Sequence, residues 1–353
     1  MVRLKDIAER AGVSVMTVSK VLRDAPDVSA ATKTRIRALA QEMGYLPDSL
    51  AQGLRTRTSK LFGLVISAMT NPIFARVVMA IEERAHELGY EVILSHTLNL
   101  PEREDTAIRR LISRRVDGLF VSPVYRLEPE APIYQELQRC RIPTLILGHS
   151  APFCSQFVNV DTEDLQASHA ATQHLLDLGH RRIAFFAGPQ VSPWAQERFE
   201  GYRRALREAG IEVDDKRVFN AGGTIEEGER AALQMLDEVT DATAVQAVND
   251  LVAIGAATVF LNQGIRIPEE LSLVGFGNVL ISEYFRVPLT TVRQPKFRLG
   301  VAAMNSMLKL MRGERPEPKR LPAELVVRAS TAAPSTVRHA RKTLVEKTES
   351  RTP

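Results

Sequence analysis

LKDIAERAGVSVMTVSKVLRDAPDVSAATKTRIRALAQEMG, residues 4–44, carries three amphipathic helical patterns separated by polar turns. Leu4, Ile7, Ala8 and Ala11 recur at i, i+3, i+4 and i+7, one apolar stripe. Gly12 is placed to stop that helix, and Ser14 to cap the next, which starts at Val15. After Ser29 the same spacing returns in Ile36, Leu39, Ala40 and Met43, with Gly44 as the stop. Helix, short glycine-containing turn, helix is the spacing of a helix-turn-helix. On the second helix Val18, Val21 and Leu22 share the buried arc, whereas Met16, Lys20 and Arg23 point outward beside Thr17 and Ser19. Val15 sits at the edge. A solvated face has little use for an exposed methionine. In a major groove Met16 would meet thymine methyls and Lys20 would donate to guanine, while the hydroxyls and the helix N-terminus would meet phosphates. A plain solvated helix is the alternative.

The charge distribution agrees with a head that meets a polyanion. Residues 1–60 hold eleven lysines and arginines against six acids, and the segment from Ser335 holds five against two. The whole chain is only +4, so the long middle is net negative. With 353 residues, 44% hydrophobic and 25% charged, the chain is expected to be soluble and to form two or three folding units. No apolar run is long enough to span a membrane, and the N-terminus lacks the pattern of a secretory signal, so a cytoplasmic protein is expected. Two cysteines, Cys140 and Cys154, without metal-ligand spacing argue against a disulfide framework or a structural zinc. No P-loop, HExxH, nucleophile elbow or GxGxxG after a strand is present, so neither catalysis nor a cofactor is expected.

Residues 47–60, PDSLAQGLRTRTSK, read as a linker that could become helical under the right conditions. From Leu61 the pattern changes. Apolar runs at 61–67, 90–95, 116–122, 142–148, 182–188, 243–248 and 271–277 alternate with amphipathic helical stretches. Continuous apolar strands of this kind fit parallel sheets covered on both faces. The stretches NPIFARVVMAIEERAHELGYEVIL and WAQERFEGYRRALREAGIEV are alike, which points to two similar α/β subdomains facing a cleft. The polar tail has no heptad repeat and is expected to be disordered.

The head sequence, together with MGYLPDSLAQGLRTRTSKLFGLVI, resembles the DNA-binding head and hinge of the lactose-repressor (LacI/GalR) family of bacterial transcription regulators. The resemblance continues through NPIF, LGYEVIL, RRVDGLFVSP, IPTLILG, LGHRRIAFFAGP, ER-x-EGY, ND-xx-AIGA, IRIPEELSLVGFGN and PLTTVRQP-xxx-LG, and covers about residues 2–333. It implies an all-α helix-turn-helix head on an α/β periplasmic-binding-protein-like core of two doubly wound parallel-sheet subdomains. The implied function is a homodimeric regulator, most simply a repressor, on a pseudopalindromic double-stranded operator. A small-molecule effector, a carbohydrate or a derivative of one, would tune it.

The implied domains are the head at 1–46, the hinge at 47–59, the core at 60–334 and the tail at 335–353. Within the core, the first subdomain takes about 60–160 and 290–322, and the second about 161–289 and 323–334. By position, Val15, Met16 and Lys20 match base-reading residues, and Thr17, Ser29 and Thr32 match phosphate contacts; Ser14, the N-cap of the second helix, is counted with the DNA-binding residues. Leu54, flanked by Ala51 and Arg55, matches the leucine that wedges into the minor groove, where Arg55 would suit the negative potential. The hinge is too short for a stable isolated helix, and Gly53 weakens it further, so it is expected to be helical only on DNA.

For the effector, the matching residues are Asn71, Ile73, Phe74, Arg198, Asn249 and Asp250, with Trp194 in the loop just before Arg198. Each has a structural alternative. Arg198 could pair with acids, Phe74 and Trp194 could be core, and Asn249 could cap a helix. Gly277 stands where many members carry an acidic residue, and NAGGTIEEG lacks an aromatic that some members have. The implied pocket is roomier and less polar than a usual sugar site, which leaves open a larger effector or none. A solute-binding transport protein would share the core but has no use for the head.

Overall fold

The structure is a computed structural model and describes residues 2–45, 58–238 and 241–335. The hinge residues Ala51, Leu54 and Arg55 and the tail beyond residue 335 lie outside the described residues.

The head comprises α1 (Leu4–Ala11), α2 (Val15–Leu22) and α3 (Ala30–Glu42). The apolar stripes meet as read from the sequence: Ile7, Ala8, Val18, Val21, Ile36 and Ala40 are buried together. Each of the four large aliphatic chains contributes roughly 1.5–3 kcal/mol on burial. Gly12 closes α1 with φ +67°, which turns the chain directly into the Ser14 cap of α2.

The core, from Lys60 onward, holds two six-stranded sheets. The first contains β1 (Leu61–Ile66), β2 (Glu91–His96), β3 (Gly118–Val121), β4 (Thr144–Leu147), β5 (Val158–Thr162) and β11 (Lys319–Leu321). Its order is β11-β5-β4-β3-β1-β2, all parallel. The second contains β6 (Ile183–Ala187), β7 (Val218–Asn220), β8 (Ala244–Ala247), β9 (Ser272–Gly277), β10 (Thr290–Arg293) and β12 (Glu324–Val326). Its order is β12-β10-β9-β8-β6-β7, parallel except for the β10–β12 pair.

All seven apolar runs are strands: six lie inside the sheets and are buried on both faces, whereas β2, at the edge of the first sheet, is partly exposed. The expected internal boundaries shift. Strand β5 continues to Thr162 in the first sheet, and Thr290–Arg293 pairs with β9 in the second. The chain therefore passes between the halves near residues 163, 294–295 and 322–323. A boundary at 290 would place this strand with the helix that follows it, which packs in the first half. The crossing in fact falls at Gln294–Pro295, after the strand has paired.

Helices cover the sheets: α4 (Pro72–Glu87), α5 (Pro101–Ser113), α6 (Pro132–Arg139), α7 (Asp164–Asp177), α8 (Pro193–Glu208), α9 (Ile225–Glu238), α10 (Asp250–Asn262), α11 (Leu280–Tyr284) and α12 (Lys296–Met311). Three helix pairs approach each other through a glycine. A Cβ would lie 2.3 Å from Leu165 O at Gly201, 2.0 Å from Ile225 O at Gly255, and 2.6 Å from Val77 O at Gly300. Each glycine belongs to a motif noted above (EGY, AIGA and LG), so these motifs serve helix packing.

Candidate nucleic-acid interface and effector cleft

In the head, the Ser14 hydroxyl accepts from the Thr17 backbone N–H at 3.1 Å and shares a 2.9 Å hydrogen bond with the Thr17 hydroxyl. Ser29 and Thr32 repeat the arrangement at 3.3 and 2.9 Å. These four hydroxyls thus mark the N-termini of α2 and α3, where backbone N–H groups and the helix dipole favour anions. Val15 is 44% exposed and Met16 64%. Two apolar side chains on one short exposed face are the head's least soluble feature.

Lys20 donates to Asp27, and Arg23 folds back on the Ser19 carbonyl at 2.8 Å. The Lys20 hydrogen bond holds the Asp27 carboxyl below its usual range. Both partners are exposed, so the lysine is loosely held and available to another acceptor. Sequence reading did not single out Asp27. It lies seven residues beyond Lys20, past the end of the helix, where no helical spacing would pair them.

The cleft residues fall into two groups. Asn71 caps α4 by accepting from Ile73 N–H at 3.2 Å, and Ile73, Phe74 and Trp194 are half-buried. Phe74 also packs against the apolar cluster around Phe62 and Ile66, and Trp194 against the cluster around Phe186. Arg198, Asn249 and Asp250 are bound within the protein. Arg198 is 4% exposed; its Nε and Nη2 donate to Asp164 Oδ2 at 3.1 and 2.9 Å, and Nη1 donates to Val248 O at 2.7 Å. Its guanidinium lies 3.7 Å from the Phe276 ring centroid and 4.8 Å from that of Trp194. Burial lowers its pKa, against the opposing charge of Asp164.

Asn249 caps α10 by accepting from Val252 N–H at 2.8 Å, and it donates to Gly223 O at 3.0 Å. Asp250 is 1% exposed and accepts from Thr291 Oγ1 at 2.5 Å, Ser282 Oγ at 2.7 Å and Val279 N–H at 2.8 Å. Burial raises its pKa, and those three donors oppose the rise. Asp250, which follows β8, is thereby tied to the loop after β9 and to Thr291 of β10.

Gly277 has φ +134°, a conformation that residues with side chains rarely adopt, and a Cβ there would lie 3.5 Å from Asp250 Oδ2. A carboxylate at 277 would be strained and would face a like charge. Lys296 secures the same loop: its Nζ donates to Gly277 O at 2.5 Å and Asn278 O at 2.8 Å, and burial lowers its pKa to about 8. The hollow beside NAGGTIEEG is lined mainly by polar side chains, among them Asn220, Glu227, Arg230 and Gln234.

Sequence reading missed His149, Asp161, Asp164, Glu197 and Arg320, which gather where the two halves meet. Glu197 stands beside Arg198 in the ER motif, and the acids of VDTED flank the first crossing. Their partners lie far along the chain, so their spacing gave no signal. Among the described residues no group of His, Cys, Asp or Glu is placed to hold a metal, and no helix is long and apolar enough to cross a membrane.

Residues 3–48 match the model of bacterial regulatory proteins of the lacI family, and residues 172–331 match a periplasmic binding protein-like domain. Over 332 residues the chain is 33% identical to the HTH-type transcriptional repressor CytR of Escherichia coli (strain K12), spanning 94% of this chain and 96% of that one. The chain belongs to the lacI family. The HTH-type transcriptional repressor PurR of Photobacterium profundum is 31% identical, spanning 94% of this chain and 98% of that one. Among solved structures, this lacI-family chain resembles the lac repressor dimer bound to operator and the anti-inducer ONPF. The TM-score is 0.83 at 30% identity, with 94% and 99% of the two chains covered. It also resembles the CelR–cellobiose complex, with a TM-score of 0.70 at 30% identity and 94% and 100% covered. The helix-turn-helix head and the two-sheet core expected from the sequence are the lacI-family fold.

Proposed function

We propose that the chain is a sequence-specific DNA-binding repressor that acts as a homodimer on a pseudopalindromic operator and is tuned by a carbohydrate-class effector in the core cleft. The carrying observation is the outward face of α2. Val15 and Met16 are exposed beside Lys20, above an N-terminus capped by Ser14. A face that sets apolar groups beside cations and hydroxyls suits a major groove, where methyls, base acceptors and phosphates occur together. Ala51, Leu54 and Arg55 would act at the minor groove between the half-sites. Dimerisation is supported by α11, which leaves Leu280 78%, Ile281 47% and Tyr284 73% exposed on five residues. The cellobiose complex of CelR supports a carbohydrate effector.

A second reading, an effector-independent regulator, is favoured by the internal bonding of Arg198, Asn249 and Asp250. If the first reading holds, a ligand would rest on Asn71, Ile73, Phe74 and Trp194, with Gly277 providing room.

Base reading is testable at Lys20. Lys20→Ala should weaken binding to the preferred duplex by about 1–3 kcal/mol and relax the preference at one position per half-site. Equilibrium binding to a set of single-base duplex variants measures this. Equal loss on every duplex would reassign Lys20 to phosphate contact.

A further inference from the structure

Glu197 lies on α8 in the second half, yet its hydrogen bonds go to the first. Arg320 Nη2 donates to Glu197 Oε2 at 2.5 Å, and His149 Nε2 lies 3.2 Å from the same oxygen. Arg320 belongs to β11, and His149 follows β4. On its own side, Arg320 Nε lies 3.2 Å from Asp161 Oδ1, and Nη2 also donates to Thr162 O at 3.2 Å. His149 Nε2 lies 4.0 Å from Asp161 Oδ2, which also accepts from Asn159. Arg320 is thus shared between a carboxylate of its own half and one of the other.

We propose that Glu197 with Arg320 and His149 is an electrostatic latch that holds the two halves of the core together without a ligand. The asymmetry of the partners makes it reversible. If the halves part, Arg320 keeps Asp161 and Thr162 O, while Glu197, a quarter exposed already, passes into water. Neither charge is left buried and unpaired, so opening avoids the penalty that makes buried ion pairs permanent. The Arg198–Asp164 pair joins α8 to α7 within the second half and does not change when the halves move.

Asp161 holds the cation in place. Burial pushes its carboxyl up to about 6, against the charges of His149 and Arg320, with Glu197 and Asp164 adding to the rise. For Glu197, burial alone would raise the pKa, but hydrogen bonds from His149 and Arg320 outweigh it and hold the carboxyl below its usual range. As a regulatory consequence, which rests on the proposed function, an effector would act by competing for Glu197.

The latch itself is tested without DNA, so its failure is separable from failure of that function. In the full chain with Cys140→Ser, spin labels at Glu128→Cys and Gln190→Cys, both exposed, report the distance between the halves. Glu197→Gln keeps the shape and removes the charge. It should raise the ratio of open to closed molecules by about tenfold at low salt, as losing one charge-assisted bridge would. Arg320→Lys, which keeps the charge, should stay closer to the parent. Salt near 0.5 M should open the parent and leave Glu197→Gln unaffected. A Glu197→Gln ratio of open to closed molecules within twofold of the parent's, or a parent insensitive to salt, would overturn the proposal.

Discussion

Gly255→Ala should destabilise the core by about 3 kcal/mol or more, although the substitution places a good helix former inside a helix. In an open helix, alanine would gain roughly 1 kcal/mol over glycine. Here the added Cβ would lie 2.0 Å from Ile225 O and 3.0 Å from Glu229 N, so α9 must move away from α10. The contact is reciprocal, since a Cβ at Gly228 would lie 2.3 Å from Val252 O. Relieving either clash reopens the apolar cluster beneath, which includes Ala231, Ala232, Met235, Ala253 and Ala256. Gly223→Ala is the control, because its Cβ would meet only Asn249 Nδ2 at 3.7 Å. Denaturant unfolding of the two variants should separate them clearly. A Gly255→Ala loss below about 1 kcal/mol would show that the helices tolerate a wider spacing than the structure implies.

The second large effect is expected at the buried pair. Asp164→Ala should cost about 3–5 kcal/mol, because it leaves the Arg198 guanidinium buried without its carboxylate. Asp164 is 1% exposed and also accepts from Thr162 Oγ1 at 2.5 Å, so its removal frees a second donor. Replacing both partners, Asp164→Ala with Arg198→Met, should cost less than the two single changes added together, since no unpaired charge remains. Unfolding of the three variants closes the cycle. Additive losses would mean that the two residues do not act as a pair. A stable Arg198→Met protein that has lost effector binding would return Arg198 to the role of ligand contact.

Legibility in the sequence followed the range of the interactions. The head could be read almost completely, because its stripes, caps and stops are set by neighbours within a few residues. The central strands could be read because burial on both faces leaves a continuous apolar run. Strands β5 and β10 could not. They carry Asn159, Asp161, Thr162, Thr290 and Thr291, all buried, and hold them through hydrogen bonds to distant residues. Hydropathy registers such residues as loop.

The same limit applies to the cleft. Arg198 and Asn249 were identifiable as polar groups at the openings of helices. Whether they serve a ligand or the framework depends on Asp164, Val248 O and Gly223 O, which no local spacing reveals. Gly277 departs visibly from the family pattern, but its backbone conformation, which makes an aspartate a poor replacement, lies beyond what a one-letter code carries.

If the exposed face of α2 reads sequence, two copies should do so together on one duplex. Selection of bound duplexes from a fully random pool by the full chain, followed by sequencing, tests it most directly. The pool should converge on one family of sites with two inverted half-sites about a centre of symmetry, the preference resting on a few positions in each half. A pool that stays unenriched, or converges on a site with no dyad, would contradict it.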